Sequence, residues 1–337
     1  MVFDEVLAEF RRLGGVAENV RLGEGKFGRG IFVVDPSAPA TLHAPENILV
    51  PADEVEVRDG NLVLRNETAL GPAERAFFET LHRSFGWGAG LFEEIWQAQE
   101  SWSRLPSDVV TAIANMGGTF HPQMRFVPPS SDICFYHFIK SRDFSYDGKF
   151  YIAPLIDLVN HSSGVPTYVL ENGIGVAGRF ADEMLVCYNL VDAWAYAIVY
   201  GFLEPAPQAY SLAITVELYG RHKLTINRDV GTFENRQGIR FPAVEIEGNT
   251  IVLSHLLLGQ TNVPDLPRGL FRQIMQPYVN AAQADEVFDS IARFNRSKFI
   301  ALLRTLRQYD TPLVRMLEEA AINQLEALAA CVGARAL

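Results

Sequence analysis

Cysteine is scarce in this chain. The three that occur in 337 residues, Cys134, Cys187 and Cys331, are widely scattered and form no CxxC pair, which argues against a disulfide framework and against a structural zinc site. Long apolar runs are missing too. The stretch from Ile251 to Leu258 is among the longest, far short of the ~20 residues a membrane helix needs, so a soluble protein without a membrane partner is expected. The N-terminus lacks the basic start and apolar core of a signal peptide, and a cytoplasmic location is expected. Positive charge is in deficit: 29 Lys and Arg stand against 40 Asp and Glu, a formal charge of -11. That balance disfavours a nucleic-acid phosphate surface and suits a basic target. No internal repeat or low-complexity tract is found, nor the GKT or GKS of a P-loop, nor the HRD and DFG strings of a kinase.

What is present is enough apolar residue, 48% of the chain against 20% charged, to bury a large core in one elaborate domain or two lobes. Four segments follow from the patterning. Residues 1–70 open with Phe3, Val6, Leu7 and Phe10 at helical spacing, with acids early, Arg11 and Arg12 late, and Gly14 and Gly15 as a stop. Short β-branched runs then alternate with Gly, Pro and Asp: Gly30 to Pro36, Ile48 to Pro51, and Val55 to Leu64 around Asp59-Gly60. Residues 71–130 change to helical spacing through Phe77, Phe78, Leu81, Phe85, Leu91, Phe92, Ile95 and Trp96. Residues 131–204 mix a helix through Phe135 to Lys140, an apolar run from Ile152 to Val159, a strand near Val186 and a helix ending at Tyr200. Residues 205–337 hold strands at Ser211 to Leu218 and Val244 to Leu253, a punctuating loop with Pro264 and Pro267, and helices from Leu270 to Val332.

Three strings concentrate chemistry. Gly23-Glu24-Gly25-Lys26-Phe27-Gly28-Arg29-Gly30 contains a GxGxxG, but Ile31-Phe32-Val33-Val34 follows it. A β-branched run offers no helix N-terminus to a pyrophosphate, so a glycine turn between strands stands beside any nucleotide reading. Ile152 to Ser163 is an apolar run ending in Asp157, Asn160, His161 and Ser162. It places hydrogen-bonding groups at the edge of a core, where they either hold a polar ligand or merely cap and turn the chain. No second His or Cys lies at ligand spacing for a metal. Tyr200-Gly201-Phe202 closes a helical stretch, where Gly is a helix stop and Tyr packs at the end.

Taken in order, these strings resemble the defining segments of SET-domain methyltransferases: Gly28-Arg29-Gly30-Ile31-Phe32 as the opening "GxGL(F/V)A" turn, Asn160-His161-Ser162 as "DxxNHS", and Tyr200-Gly201-Phe202 as "YGF". Ser141-Arg142-Asp143-Phe144, followed by Ala153 to Ser162, is similar to the "SRxF…PxxDxxNHS" run of the Rubisco large-subunit lysine methyltransferase class. The resemblance covers residues 16–204 by string and the tail by architecture. It implies an α+β SET fold of small β-sheets with a knot-like C-terminal segment, the helical insertion at 71–130, and a mainly helical C-terminal lobe for substrate at 205–337.

It further implies S-adenosyl-L-methionine as cofactor and, as partner, a protein substrate bearing a lysine or possibly a histidine. Phe27, Gly28 and Arg29 would offer backbone contacts to the adenosine part, and Arg142 would face the methionine carboxylate. Asp157 would lie near the cofactor or target channel, and Asn160 and His161 would hold the amine and adenine edge. Tyr168 and Tyr188 would belong to the substrate side, and Tyr200 is the family's catalytic tyrosine. Even within the resemblance, Arg142 is also a surface ion-pair candidate and Asp157 a helix-end cap. The chain departs from the family at Cys187-Tyr188-Asn189 in place of "SYG", around Asp192-Ala193-Trp194, and at Pro166-Thr167-Tyr168. A non-catalytic partner-binding protein or a small-molecule methyltransferase on the same fold are the alternatives.

Overall fold

The computed structural model describes residues 2–65, 70–117, 123–219, 222–229 and 241–331. It is a mixed helix and sheet chain that packs as two compact units, Met1–Glu100 with Pro128–Tyr188, and Ser101–Val127 with Asn189–Leu337. The helical block read at 71–130 is thus shared: Pro72–Phe85 and most of Leu91–Ser103 belong to the first unit, and Ser107–Ala114 to the second.

In the first unit, the helix Phe3–Arg12 buries Val6, Leu7 and Phe10, and its acidic first turn and basic last turn complement the backbone dipole. Short strands follow. Ala40–Pro45 is the middle strand of an antiparallel sheet between Val16–Glu18 and Gly173–Gly178. Lys149–Ile152 lies between Val50–Pro51 and Asp143–Tyr146 in another. Asp59 and Gly60, with φ of 51° and 75°, close the hairpin Val55–Arg58/Asn61–Leu64, as a two-residue hairpin loop demands. The helices Pro72–Phe85 and Ser131–Arg142 add Phe78, Cys134 and Phe138 to a core with Leu62, Leu64 and Trp87.

The second unit has a four-stranded sheet in the order Ile214–Glu217, Lys223–Ile226, Thr250–Leu253, Val244–Glu247, with its central pair parallel and a turn at Gly248-Asn249. Helices Leu266–Met275, Ala281–Leu306 and Pro312–Cys331 follow. The expected end at Val332 lies outside the described residues. Pro267 is not in a loop: it occupies the first turn of Leu266–Met275, where its missing N–H costs no helical bond. Trp102, Val109, Ile113 and Met116 pack into one core with Trp194, Phe299, Leu302 and Leu317. Among the described residues, no helix is long and apolar enough to cross a membrane.

Candidate functional site

The glycine-rich string forms an antiparallel hairpin, Val20–Gly25 against Gly28–Val33, with Lys26 and Phe27 at its tip and Phe27 42% exposed. A strand follows the glycines, so the nucleotide-phosphate reading fails for want of a helix N-terminus. The glycines do packing work instead. A Cβ on Gly23 would meet the Phe32 ring at 2.6 Å, and one on Gly30 would meet Glu183 Oε1 at 2.5 Å and Asn160 Nδ2 at 2.6 Å. Gly28 has φ of 85°, open to glycine at little cost. The Arg29 side chain is committed elsewhere in the unit, donating to Phe85 O at 2.8 Å and Ala89 O at 2.9 Å. Its backbone is what faces the second string.

That second string reaches the hairpin through Asn160, whose Nδ2 donates to Arg29 O at 3.1 Å and to Glu183 Oε1 at 2.7 Å. Burial raises the Glu183 carboxyl pKa, and the Asn160 bond opposes the shift. Asn160–His161 runs parallel to Leu185–Val186. The His161 ring extends this pairing, its Nδ1 accepting the Tyr188 N–H at 3.0 Å, and the Tyr188 hydroxyl donates to Val159 O at 2.7 Å. The Tyr168 and Tyr188 rings lie 6.3 Å apart and nearly parallel, and Phe144 meets Tyr168 edge-on at 4.8 Å. Tyr168 is buried, Tyr188 half-buried. Phe27, Gly28, Arg29, Asn160, His161, Tyr168 and Tyr188 therefore stand on linked elements of one unit.

Asp157 lies two residues after Leu155, a buried residue with φ of 67°, a conformation uncommon outside glycine and often found where function fixes the backbone. Its carboxyl faces inward toward His82, with Nε2 and Oδ2 4.0 Å apart and both side chains 1% exposed. Burial pushes Asp157 up to about 7 against the opposing pull of Arg142. The same burial, aided by the Arg142 charge, holds His82 down at about 3. Half-buried Arg142 lies over the Phe138 ring at 5.1 Å and donates from Nη1 to Ser141 Oγ at 2.8 Å. His82 escaped the sequence reading, although it sits one turn after Phe78 on the apolar face of its helix.

Tyr200 belongs to the second unit. A single turn, Ala193–Ala195, passes into a π-helical stretch, Tyr196–Tyr200, stopped by Gly201 with φ of 79°. The ring sits 5.8 Å from that of Phe202 and 6.1 Å from that of Tyr196, and the Tyr196 hydroxyl donates to Asn189 O. Asp192 caps this helix, its Oδ1 accepting the Ala195 N–H at 2.8 Å. Both Asp192 oxygens also accept from fully buried Arg228, at 3.0 and 3.1 Å, and Oδ2 accepts from Tyr210 N and Gln324 Nε2, each at 3.0 Å. The departure seen in the sequence at Asp192 is thus a buried anchor for the segment that ends in Tyr200.

Among the described residues, no group of three or more His, Cys, Asp or Glu is placed to hold a metal ion. No family model matches the chain. It is similar over 109 residues, at 26% identity, to an uncharacterized protein of Aquifex aeolicus (strain VF5), covering 32% of this chain and 89% of that one. Among solved structures it is similar to the SET domain of LSMT in a crystal structure bound to lysine and AdoHcy. That likeness has a TM-score of 0.44 and 13% identity, over 98% of this chain and 90% of the other.

Proposed function

We propose that this chain is an S-adenosylmethionine-dependent methyltransferase of the SET type, acting on a lysine, or alternatively a histidine, of a protein substrate in the cytoplasm. One observation carries the reading. The strings that resemble the family's cofactor segments lie far apart in sequence, yet the hairpin at Gly28-Arg29-Gly30 and the Asn160-His161 segment are joined directly by the Asn160 side chain. The knot-like C-terminal segment, helical insertion and substrate lobe of the SET fold are part of the same reading.

The donor set suits the amino-acid end of such a cofactor. Arg142 Nε is buried without a hydrogen-bond partner among the described residues, and a guanidinium fork matches a carboxylate. Phe27, Gly28 and Arg29 would hold the adenosine part through their backbone, and Asn160 and His161 the amine and adenine edge. Tyr168 and Tyr188 would line the approach of the substrate. When bound, the cofactor supplies a methyl on a positive sulfur, open to in-line attack by an amine. The protein's part is alignment, together with removal of the amine's proton. A free lysine titrates near 10.4, so presenting it neutral at pH 7 costs about 3.4 units, or about 4.6 kcal/mol. Desolvation beside a positive charge lowers that cost. The Tyr200 hydroxyl would orient the neutral nitrogen, and it need not act as a strong base.

Tyr200→Phe is therefore expected to leave S-adenosylhomocysteine affinity nearly intact while removing most turnover. Labelled methyl transfer into a lysate, read by mass spectrometry of the modified residues, tests activity and acceptor together. Equal turnover by wild type and variant sinks the Tyr200 assignment. Labelled product of low mass points to a small-molecule acceptor, and neither cofactor binding nor transfer points to a partner-binding protein.

A further inference from the structure

The first unit contains a buried polar cluster whose bonding is incomplete. Neither Asp157 oxygen, neither His82 nitrogen, and not Arg142 Nε has a hydrogen-bond partner among the described residues. The 4.0 Å between His82 Nε2 and Asp157 Oδ2 exceeds a hydrogen bond. Arg142 forms no ion pair with a described residue; its one donor bond goes to a neutral hydroxyl. Among the described residues, the titratable groups that face Asp157 are His82 from the helix Pro72–Phe85 and Arg142 from the helix Ser131–Arg142. The strands Gly28–Val33, Ala40–Pro45 and Gly173–Gly178 that pack on its turn bring it no charge among the described residues.

We infer that Asp157 and His82 are positioning residues acting through Arg142, so that capture of an anionic carboxylate by Arg142 is accompanied by uptake of one proton at Asp157. The inference rests on the methyl-donor reading for the identity of that carboxylate. Its physical basis is the sharing of one cation. When Asp157 is ionised, the Arg142 charge stabilises it through space rather than by an ion pair, and a second carboxylate at Arg142 would set two anions against one guanidinium. When Asp157 is neutral, Arg142 presents its full charge to the newcomer. Burial already holds Asp157 up at about 7, with the Arg142 charge, and after it the nearby backbone N–H groups of Asp157 and Leu155, opposing a further rise. A carboxylate that engages Arg142 weakens that opposition, and the proton moves from solvent to the Asp157 carboxyl. His82 serves both forms. Held neutral by burial, its ring turns either an N–H or a lone pair toward the carboxyl according to tautomer, across the 4.0 Å that separates them.

The test is titration calorimetry of the full chain with S-adenosylhomocysteine from pH 6 to 8.5, in phosphate and in Tris, whose ionisation heats differ. The expected result is proton uptake that is small at pH 6 and rises toward one per site above neutrality. Affinity is then nearly flat below about pH 7 and falls toward about tenfold per pH unit above it. Asp157→Asn is expected to abolish both the uptake and that slope; any slope it keeps belongs to the ligand's own amine. Binding by wild type with no difference between buffers overturns the inference and leaves the methyl-donor reading in place. No binding at any pH overturns both. A wild-type result without buffer dependence overturns the inference without any variant, so poor folding of Asp157→Asn leaves it falsifiable.

Discussion

Between about pH 4 and 6.5, His82 and Asp157 hold one proton in the unfolded chain and one in the folded chain, but on different residues. Unfolded, the histidine carries it, titrating at 6.5 while the aspartate titrates at 3.8; folded, the aspartate carries it, at about 7 against about 3 for the histidine. Taken alone, depressed His82 loses stability as pH falls from 6.5 toward 3, and raised Asp157 loses stability as pH rises from 3.8 toward 7. In that window the two slopes cancel. Asp157→Asn removes one of them, so its unfolding free energy is expected to rise with pH by about 1.4 kcal/mol per unit relative to wild type. Urea unfolding of both proteins at pH 4.5, 5.5 and 6.5 reads the difference, from which shared groups drop out; parallel curves contradict the assigned protonation. At this scale the sequence marked Asp157, Asn160 and His161 as a polar edge on an apolar run. It did not mark His82, because helical spacing assigns a histidine to a buried face without saying which carboxyl meets it there.

Among elements, the helix that ends in Tyr200 is anchored at its start by one carboxylate. Its first turn is capped by Asp192, and that carboxylate is held in turn by Arg228, Tyr210 N–H and Gln324. Asp192→Ala removes the carboxylate to which a 1% exposed guanidinium, Tyr210 N and Gln324 Nε2 are all bonded, which is expected to cost about 3–5 kcal/mol. A fall in the urea midpoint with an unchanged m-value checks it. A loss under 1 kcal/mol would mean that Arg228 finds another partner. Read as a sequence, Asp192 was a departure from a family pattern, though an Asp before Ala193-Trp194-Ala195 is also a helix-start signal. The strands and turns were legible for local reasons: Asp59-Gly60 and Gly248-Asn249 are hairpin chemistry, and a β-branched run after Gly30 requires a strand. Pro267 was misplaced because a proline in a first helical turn and one in a loop look alike without the following contacts.

Two lobes were one of the organisations the composition allowed, but the interleaving that assigns residues 101–127 to the second unit was not legible in the sequence. Periodicity shows that Trp102, Val109, Ile113 and Met116 form an apolar face, but not that the face is received by Trp194, Phe299, Leu302 and Leu317. That pairing spans most of the chain. A polypeptide ending at Tyr188 contains every residue of the first unit yet carries the segment 101–127 uncovered. It is expected to aggregate, as light scattering would show, and to regain solubility when those four residues are replaced by polar ones. Solubility of the unsubstituted fragment would mean that this strip finds cover within the first unit.

The interleaved packing also sets a timetable for biosynthesis. At ~5–20 residues per second, the strip leaves the ribosome on the order of ten seconds before the helices that bury it. Through that interval a nascent chain displays two tryptophan-sized steps of apolar surface, Trp102 and the Val109-Ile113-Met116 ridge, beside a first unit still waiting for its own second half. Yield in a cell is therefore governed by how well chaperones shield that strip during translation as much as by the stability of the finished protein.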